Sequence, residues 1–436
     1  MGKREDAKRE MLKELQSAFD SEKSESDAHK RGVFGIEAEA ESIVRRVKRE
    51  LIEEKLKVAD RGYEGNTRRC PKCGKETQRY KGDSPRTIEL ECGELNVVRA
   101  YYVCSECNES SFPLDEKFGF VEGKEQGQLR KKLSMLAVVT PYHQAPEVCE
   151  TMLGSDRHAT NLRRLLLREA KMYEESESAK ENLPIRCGET VYLQIDGHMC
   201  PTREERKDPS DQGYREAKAV LAYHESDVVE VSKKRKEILN RILKAEVTSS
   251  ENFLPIVRKV YDQANASKAD TVVVLGDGAK WIWNIVEEVA PEAIQVLDFA
   301  HAKQHLYEFA QTRFVHDSSK VKPWVSEQVD RLCADEVEKV LEEMKSFSGI
   351  DKKMDNVITY FENNARRMKY KTYRDRGLTI GSGAIESAGK QLSVSRVKGA
   401  GMRWNIKDLN PLLAMRAAFL DRSWKSYWKN QAALAA

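Results

Sequence analysis

The 436-residue sequence lacks any apolar run that approaches the ~20 residues needed to cross a membrane. Its charged start, MGKREDAKREMLKEL, differs from a secretory signal peptide, and MGKRED has no Ser or Thr where a myristoylation signal needs one. Internal repeats and low-complexity tracts are also missing. From these absences we expect a cytoplasmic protein with no membrane partner. The length of the chain allows two or three domains.

Neither sign of charge dominates the chain, whose formal net charge is +3. The basic residues are concentrated near the C-terminus, because residues 360–429 hold fifteen Lys and Arg against five Asp and Glu. The rest of the chain is therefore net acidic. A basic region on an acidic protein predicts a polyanionic partner, although a solvated helical face would also produce this pattern.

Four of the nine cysteines form two CxxC pairs, Cys70/Cys73 and Cys104/Cys107. In a cytosolic protein such pairs indicate a metal site rather than disulfides. Four thiolates suit one tetrahedral zinc ion, and a closed site of this kind has no open position for catalysis. We predict one structural zinc, with Cys92 as a packing residue.

The pattern of hydrophobic residues divides the chain into four segments. We predict a charged helical region at 1–62, a zinc ribbon with a hairpin between its two CxxC turns at 63–118, and a helical region at 119–185. Residues 186–436 alternate between apolar strands and amphipathic helices, which predicts an α/β domain with a mixed sheet. An all-helical insertion is expected at 311–375.

Two amphipathic helices flank a Gly-containing turn in the third segment, HQAPEVCETMLG and DRHATNLRRLLLREAKMY. This is the outline of a helix-turn-helix, in which Arg163 and Arg164 on the second helix would contact DNA. An ordinary helical hairpin fits the pattern equally well.

Two acids follow apolar runs of the α/β segment. Asp196 ends VYLQID, Asp277 ends TVVVLGD, and a glycine follows each. A single Asp-Gly usually marks only a turn. Two of them, each predicted to close a buried strand, would bring together carboxylates that repel each other unless a divalent cation binds between them.

A third acid, Glu386, is the only one in the basic segment GSGAIESAGKQLSVSRVKGAGMRW. It could form a surface salt bridge, or it could complete a site for two Mg²⁺ ions, which Mn²⁺ could replace, for phosphoryl transfer. In the second case the basic residues of the segment would contact DNA phosphates. These are Lys390, Arg396, Lys398 and Arg403.

The chain resembles the DDE transposases of bacterial insertion sequences, specifically the ISKra-four group, which is related to the Mutator-like transposases. The resemblance covers about residues 68–428 and rests on motifs in the family's order: CPKCG, RAYYVCSEC, FPLDEKFGF, LQIDGHMCPTR, LGDGAKWIWN, LDFAHAKQHL, the basic segment and SYW. It implies a ribonuclease-H-like core with a helical insertion before the third acid, and Asp196, Asp277 and Glu386 as the catalytic acids.

The motif LDFAH matches the family's Asp-x-x-His element, here Asp298 and His301, which the resemblance implies as support for the active site. A zinc site of these two residues with His305 is an alternative.

The activity implied is that of a Mg²⁺-dependent transposase, which binds terminal inverted repeats, cleaves the element ends and joins them to target DNA. The implied partners are double-stranded DNA and at least one further copy of the chain, in a bacterial cytoplasm with association to the nucleoid on DNA. Two alternatives remain open: a domesticated, non-catalytic zinc-ribbon DNA-binding protein, and a structure-specific nuclease of the same fold.

Overall fold

The computed structural model describes residues 25–176, 181–186, 188–204, 210–232 and 235–433, with a few isolated positions before them. Of the charged helical region predicted at 1–62, residues 1–24 therefore lie largely outside the described residues. Two compact units are present. The first unit comprises 1–137, 144–162 and 428–436, and the second unit comprises 138–143 and 163–427. The four predicted segment boundaries stay predictions.

The first unit contains a long helix and a small antiparallel sheet. Helix α1 (Glu25–Lys57) is interrupted at Gly32. The sheet has the order β1-β2-β3-β4. Its strands are β1 (Thr67–Arg68), β2 (Gln78–Leu90), β3 (Gly93–Cys104) and β4 (Ser110–Ser111). Strands β2 and β3 form the predicted hairpin, which turns before Gly93.

Alternation of apolar and polar residues makes one face of this hairpin a core. Ile88, Leu95 and Val97 are buried on it, and Ile52 and Leu56 of α1 pack against it. The first unit thus has its own hydrophobic core, and α1 contributes one apolar stripe to it.

Four helices follow the small sheet. They are α2 (Pro113–Phe118), α3 (Gly127–Val139), α4 (Ala145–Leu153) and α5 (Ala159–Glu175). Helix α4 ends at Gly154, whose left-handed φ of 60° caps the helix. The two helices predicted on either side of this glycine are confirmed as α4 and α5. Their use as a DNA-binding helix-turn-helix stays a prediction.

The second unit contains a five-stranded mixed sheet of order β11-β10-β5-β6-β9. Its strands are β5 (Thr190–Pro201), β6 (Tyr214–His224), β9 (Ile242–Val247), β10 (Thr271–Gly276) and β11 (Ile294–Leu297). Strand β6 is antiparallel to its neighbours β5 and β9, and β5, β10 and β11 are mutually parallel. This is the order and direction of the ribonuclease-H-like fold that the resemblance implies.

A separate hairpin of β7 (Val228–Ser232) and β8 (Arg235–Ile238) lies in the chain between β6 and β9, which pair directly with each other. Helices α6 (Ser250–Gln263) and α7 (Lys280–Val289) connect β9, β10 and β11. All regular elements of the helical insertion predicted at 311–375 are helices. After α8 (Phe299–Arg313) it contains α9 (Val321–Leu332), α10 (Val337–Lys345), α11 (Lys352–Asn364) and α12 (Tyr370–Asp375).

The C-terminal region begins with α13 (Gly383–Gly389), which continues into a π-helical turn at Lys390–Val394. Helices α14 (Ile406–Asp421) and α15 (Ser423–Ala433) complete the described chain. Across the part of the chain that the structure describes, no helix has both the length and the apolar character to cross a membrane.

Candidate active site and metal centre

The four predicted zinc ligands form one cluster in the first unit. The Sγ atoms of Cys70 and Cys107 lie 3.7 Å apart, as do those of Cys73 and Cys104. All four ligand atoms lie within 4.8 Å of one another. Tetrahedral zinc with Zn–S bonds of ~2.3 Å separates its sulfurs by ~3.8 Å. The cluster therefore has the dimensions of a structural zinc site, as predicted.

Two similar turns bring these cysteines together. Cys70 N–H donates to Lys75 O at 2.8 Å and Cys104 N–H donates to Glu109 O at 2.9 Å, so each turn is closed by its own backbone. A hydrogen bond with Thr77 lowers the pKa of Cys104 to about 6, which favours the thiolate that a metal requires. Cys92 is buried and lies outside the cluster, as predicted.

The three predicted catalytic acids line one cleft of about 360 Å³ in the second unit. Asp196, Asp277 and Glu386 share this cleft with two lysines of the basic segment, Lys390 and Lys398. Both lysines are exposed. Residues that lie far apart in the sequence are thus brought to one cleft, and their catalytic role stays a prediction.

Asp196 does not end its strand, which corrects the prediction of a turn at Asp196-Gly197. Strand β5 continues to Pro201 because β6 pairs with it along its whole length, from Val191 opposite His224 to Pro201 opposite Tyr214. The Asp196 carboxylate accepts a hydrogen bond from the Gly197 N–H at 2.7 Å.

Asp277 follows β10 at a turn, as predicted, and Gly278 has a φ of 97°. The Ala279 N–H donates to the Asp277 carboxylate at 2.9 Å, and the Tyr360 hydroxyl of α11 donates to the Asp277 carbonyl at 2.7 Å. Burial, and to a lesser degree the negative charge of Asp196, raises the pKa of Asp277. A bound cation would relieve this cost of holding two acids together.

Glu386 lies in the first turn of α13, where the sequence predicts it. The apolar face predicted for this helix is buried: Ile385, Ala388 and Leu392 are at most 2% exposed. The Ile385 N–H donates to Oε1 of Gln194 on β5 at 2.9 Å, which fixes the helix to the strand that carries Asp196.

Glu386 also belongs to a more compact ligand set than the predicted triad. Oxygen or nitrogen atoms of Asp298, His301 and Glu386 lie within 4.8 Å of one another. Asp298 is the N-cap of α8, and its Oδ1 accepts from the His301 N–H at 2.8 Å and lies 3.0 Å from His301 Nδ1. The Asp298 carboxylate raises the pKa of His301 to about 9 through this hydrogen bond.

The pKa of Asp298 is lowered, whereas that of His301 is raised. Burial by itself raises the pKa of its carboxyl, but hydrogen bonds from His301 and from the Ser382 N–H outweigh burial and lower it. Asp298 is thus held as a carboxylate, and His301 as its protonated partner, directly beside Glu386.

Four of the six predicted DNA contacts lie outside the cleft, and one of these four, Arg396, is buried. Arg396 is 1% exposed, and its guanidinium lies 4.6 Å from the ring centroid of Tyr142 and 5.2 Å from that of Trp404. This corrects the expectation of an exposed phosphate contact, because packing on two aromatic rings is the more favourable place for this side chain. Arg163, Arg164 and Arg403 are at least partly exposed, and Arg163 donates to Asp408 at 2.6 Å.

Sequence reasoning missed His198. Its Nδ1 lies 3.5 Å from Oδ2 of Asp196, and its ring packs against Gly389. A Cβ on Gly389 would lie 2.4 Å from His198 Cε1, so only glycine fits there without a shift. The motif LQIDGHMCPTR contains this histidine, but nothing in its spacing indicates a contact with residue 389.

Comparison with known proteins identifies the family. The model of the uncharacterised protein family UPF0236 matches residues 33–430, and the chain belongs to this family. The match includes the four cysteines, all three acids and Asp298 and His301. A search of curated proteins finds no match.

Proposed function

We propose that this member of UPF0236 is a DNA transposase that cuts and joins DNA strands with the help of divalent cations at the acidic cleft. The single observation that carries the proposal is the convergence of Asp196, Asp277 and Glu386 on one cleft with Lys390 and Lys398 at its margin. Carboxylates suit Mg²⁺, and lysines suit the phosphates of a strand that is being cut.

The residues of the cleft fit Mg²⁺ by their donor chemistry. Asp277 is partly buried and feels the negative charge of Asp196, and its pKa is raised, an arrangement that disfavours two charges without a cation. When bound, the metal would activate water and stabilise the charge that develops on the phosphate. The two lysines would hold the strand, and His301, protonated by its pairing with Asp298, would place a further positive charge in the cleft.

The resemblance to DDE transposases suggests the rest of the reaction. Cleavage would free a 3′-hydroxyl at the element end, and this hydroxyl would attack a phosphodiester of the target DNA. The zinc ribbon and the helical region would bind the terminal inverted repeats, and joining two ends would require at least a dimer. A nuclease of the same fold would stop after cleavage, so a strand-transfer assay separates the two activities.

A second candidate is a DNA-binding protein that has lost catalysis. One observation favours it: among the described residues, the compact ligand sets are the four cysteines and Asp298/His301/Glu386, and neither contains Asp196 or Asp277. This candidate predicts binding of zinc and DNA without strand cleavage.

The deciding experiment measures strand nicking. Zinc-loaded protein is incubated with Mg²⁺ and a supercoiled plasmid that carries the DNA flanking its reading frame. We expect nicking by the wild type and loss of nicking in Glu386→Gln, because the amide keeps the shape of the side chain but removes the charge that binds Mg²⁺.

The matched control is Glu362→Gln. Glu362 forms an exposed salt bridge with Lys345 at 2.7 Å, which is the role that the alternative assigns to Glu386. Such a pair contributes only ~0–1 kcal/mol, so this variant should nick normally. Normal nicking by Glu386→Gln would refute the metal-ligand role, and a wild type that binds DNA without nicking it would favour the non-catalytic candidate.

A further inference from the structure

A second cavity in the second unit is rich in arginine. Its volume is about 480 Å³, and the acidic cleft shares no residue with it. Four arginines and a histidine line it together with aromatic and polar residues: Arg163, Arg203, Arg396, Arg403 and His143. Among the described residues that line the cavity, Asp408 is the only acid. The cavity therefore has a clear excess of positive charge.

The hydrogen bonds of the lining fix two of these arginines. Arg203 Nε donates to the Arg403 carbonyl at 3.1 Å. Arg403 Nη1 lies 3.3 Å from the carbonyls of both Thr202 and Gln212. Among the described residues, these contacts hold each side chain by one nitrogen, so the other nitrogens of the two planar guanidinium groups can bind a ligand.

Close packing supports this arrangement at Gly213, whose φ is 75°. A Cβ at this position would lie 2.6 Å from Arg403 Nη1. A side chain at position 213 would therefore require the Arg403 guanidinium to move.

The other two arginines of the cavity, Arg163 and Arg396, already interact with residues of the protein. Arg163 pairs with Asp408 at 2.6 Å, which neutralises the single acid. Arg396 is buried against the rings of Tyr142 and Trp404. Arg203 and Arg403 are exposed, so they are the cations that a ligand entering from solvent would meet.

Strand β5 connects this cavity to the acidic cleft. It carries Asp196, ends at Pro201 and continues into a bridge between Thr202 and Trp404. At ~3.3 Å per residue, the seven steps from Asp196 to Arg203 span roughly 23 Å. Along the axis of B-DNA, one strand covers this distance in about seven nucleotides, at ~3.4 Å for each.

We propose that Arg203 and Arg403 together bind a single backbone phosphate of the DNA, about seven nucleotides from the bond that is cut at the acidic cleft. This proposal rests on the proposed function for the identity of the polyanion. The phosphate would set the register of the strand, because backbone contacts position a protein on DNA without reading its sequence.

The test measures DNA binding as a function of salt concentration, without Mg²⁺, so that it does not depend on catalysis. The full-length, zinc-loaded protein is titrated with a 30-base-pair duplex between 50 and 300 mM KCl. The slope of log K against log salt is negative, and each lost phosphate contact reduces its magnitude by ~0.9. Arg203→Gln and Arg403→Gln should each produce about this change, because the proposed contact needs both guanidinium groups and is lost when either is removed. The double variant should produce the same change, because only one phosphate is involved.

The control is Arg366→Gln on the helical insertion, where Arg366 pairs with Glu287 at 2.7 Å, and it should leave the slope unchanged. Zinc content and Tm check folding. Arg203→Gln is less prone to disturb the fold, because the Arg203 side chain contacts one backbone carbonyl whereas that of Arg403 contacts two. A reduction of ~1.8 in the magnitude of the slope in the double variant would mean two separate phosphates and would overturn the proposal. An unchanged slope, or no binding to the duplex, would also overturn it, whereas absence of nicking with the expected slopes would affect only the proposed function.

Discussion

The backbone N–H of Ser382 donates to Oδ2 of Asp298 at 2.5 Å and so joins the end of β11 to the turn before α13. The other oxygen of Asp298 accepts from the His301 N–H. One buried carboxylate thus positions both His301 and the helix that carries Glu386. Asp298 acts through these neighbours and is in this sense a positioning residue.

Asp298→Asn should therefore abolish nicking and reduce stability by ~1–3 kcal/mol, because an amide nitrogen replaces one of two buried acceptors. Nicking and urea denaturation measure the two effects. Asp351→Asn is the control, since Asp351 is also an N-cap and accepts from the Lys353 N–H at 2.7 Å, but on the helical insertion. It should cost at most ~1 kcal/mol and leave nicking intact. Equal nicking by the two variants would refute the positioning role.

The same pair predicts a pH dependence of stability. Asp298 raises the pKa of His301 to about 9 in the folded protein, above its value of ~6.5 in the unfolded chain. The stabilisation is then fully present below pH ~6.5 and is lost as the pH rises through 9. Without divalent cations, the free energy of unfolding should fall over this window in the wild type and much less in His301→Gln. Parallel pH profiles would show that the pairing does not stabilise the fold.

Asp277→Asn should raise the Tm of the metal-free protein at pH 7. The folded state raises the pKa of Asp277, so ionisation destabilises the fold above the unfolded pKa of ~3.9, and the amide removes this cost. Below about pH 4 the two proteins should melt alike, and added Mg²⁺ should stabilise only the wild type. Asp330→Asn, on an exposed position of α9, is a control that should change little. A lower Tm for Asp277→Asn at pH 7 would contradict this account.

Loss of zinc should follow from a single change in the cysteine cluster. Cys104→Ser removes a buried ligand, so we expect metal content to fall from about one zinc per chain and the first unit to lose stability. Elemental analysis and protease sensitivity of the ribbon measure this. Cys92→Ser is the matched control, because Cys92 is a buried thiol outside the cluster. Full zinc retention in Cys104→Ser would refute the four-cysteine site.

Local sequence patterns predicted the elements but not where they meet. The apolar run TVVVL predicts the buried strand β10, and the spacing of Ile385, Ala388 and Leu392 predicts the buried face of α13, because both signals are periodic and local. The contact of Asp298 with Ser382 spans 84 residues and leaves no periodic trace. Motif resemblance gave the three acids, and the structure adds that they line a single cleft.

Two errors show why charge and turn signals were insufficient. Gly197 indicates a turn by its residue type, but pairing with β6 extends β5 beyond it. Arg396 counts as a surface cation in any sum of charges, yet Tyr142 and Trp404 provide an aromatic site for it that only the tertiary structure creates. In both cases tertiary contacts override a correct local tendency.

The contact of His198 with Gly389 allows a test of the cleft that changes no charge. Gly389→Ala would place a Cβ 2.4 Å from His198 Cε1 and 2.7 Å from its Nε2, so the ring or α13 must shift. A shift would separate His198 from Asp196 or move Glu386, and we expect loss of nicking with a cost of ~1–3 kcal/mol in stability. Gly383→Ala, on the same helix, has no atom within 4 Å of the new Cβ and should be tolerated.

The double variant Gly389→Ala/His198→Ala restores space and should be more stable than Gly389→Ala alone, as urea denaturation can measure. Equal stability of Gly389→Ala and Gly383→Ala, or no recovery in the double variant, would show that this contact does not shape the cleft.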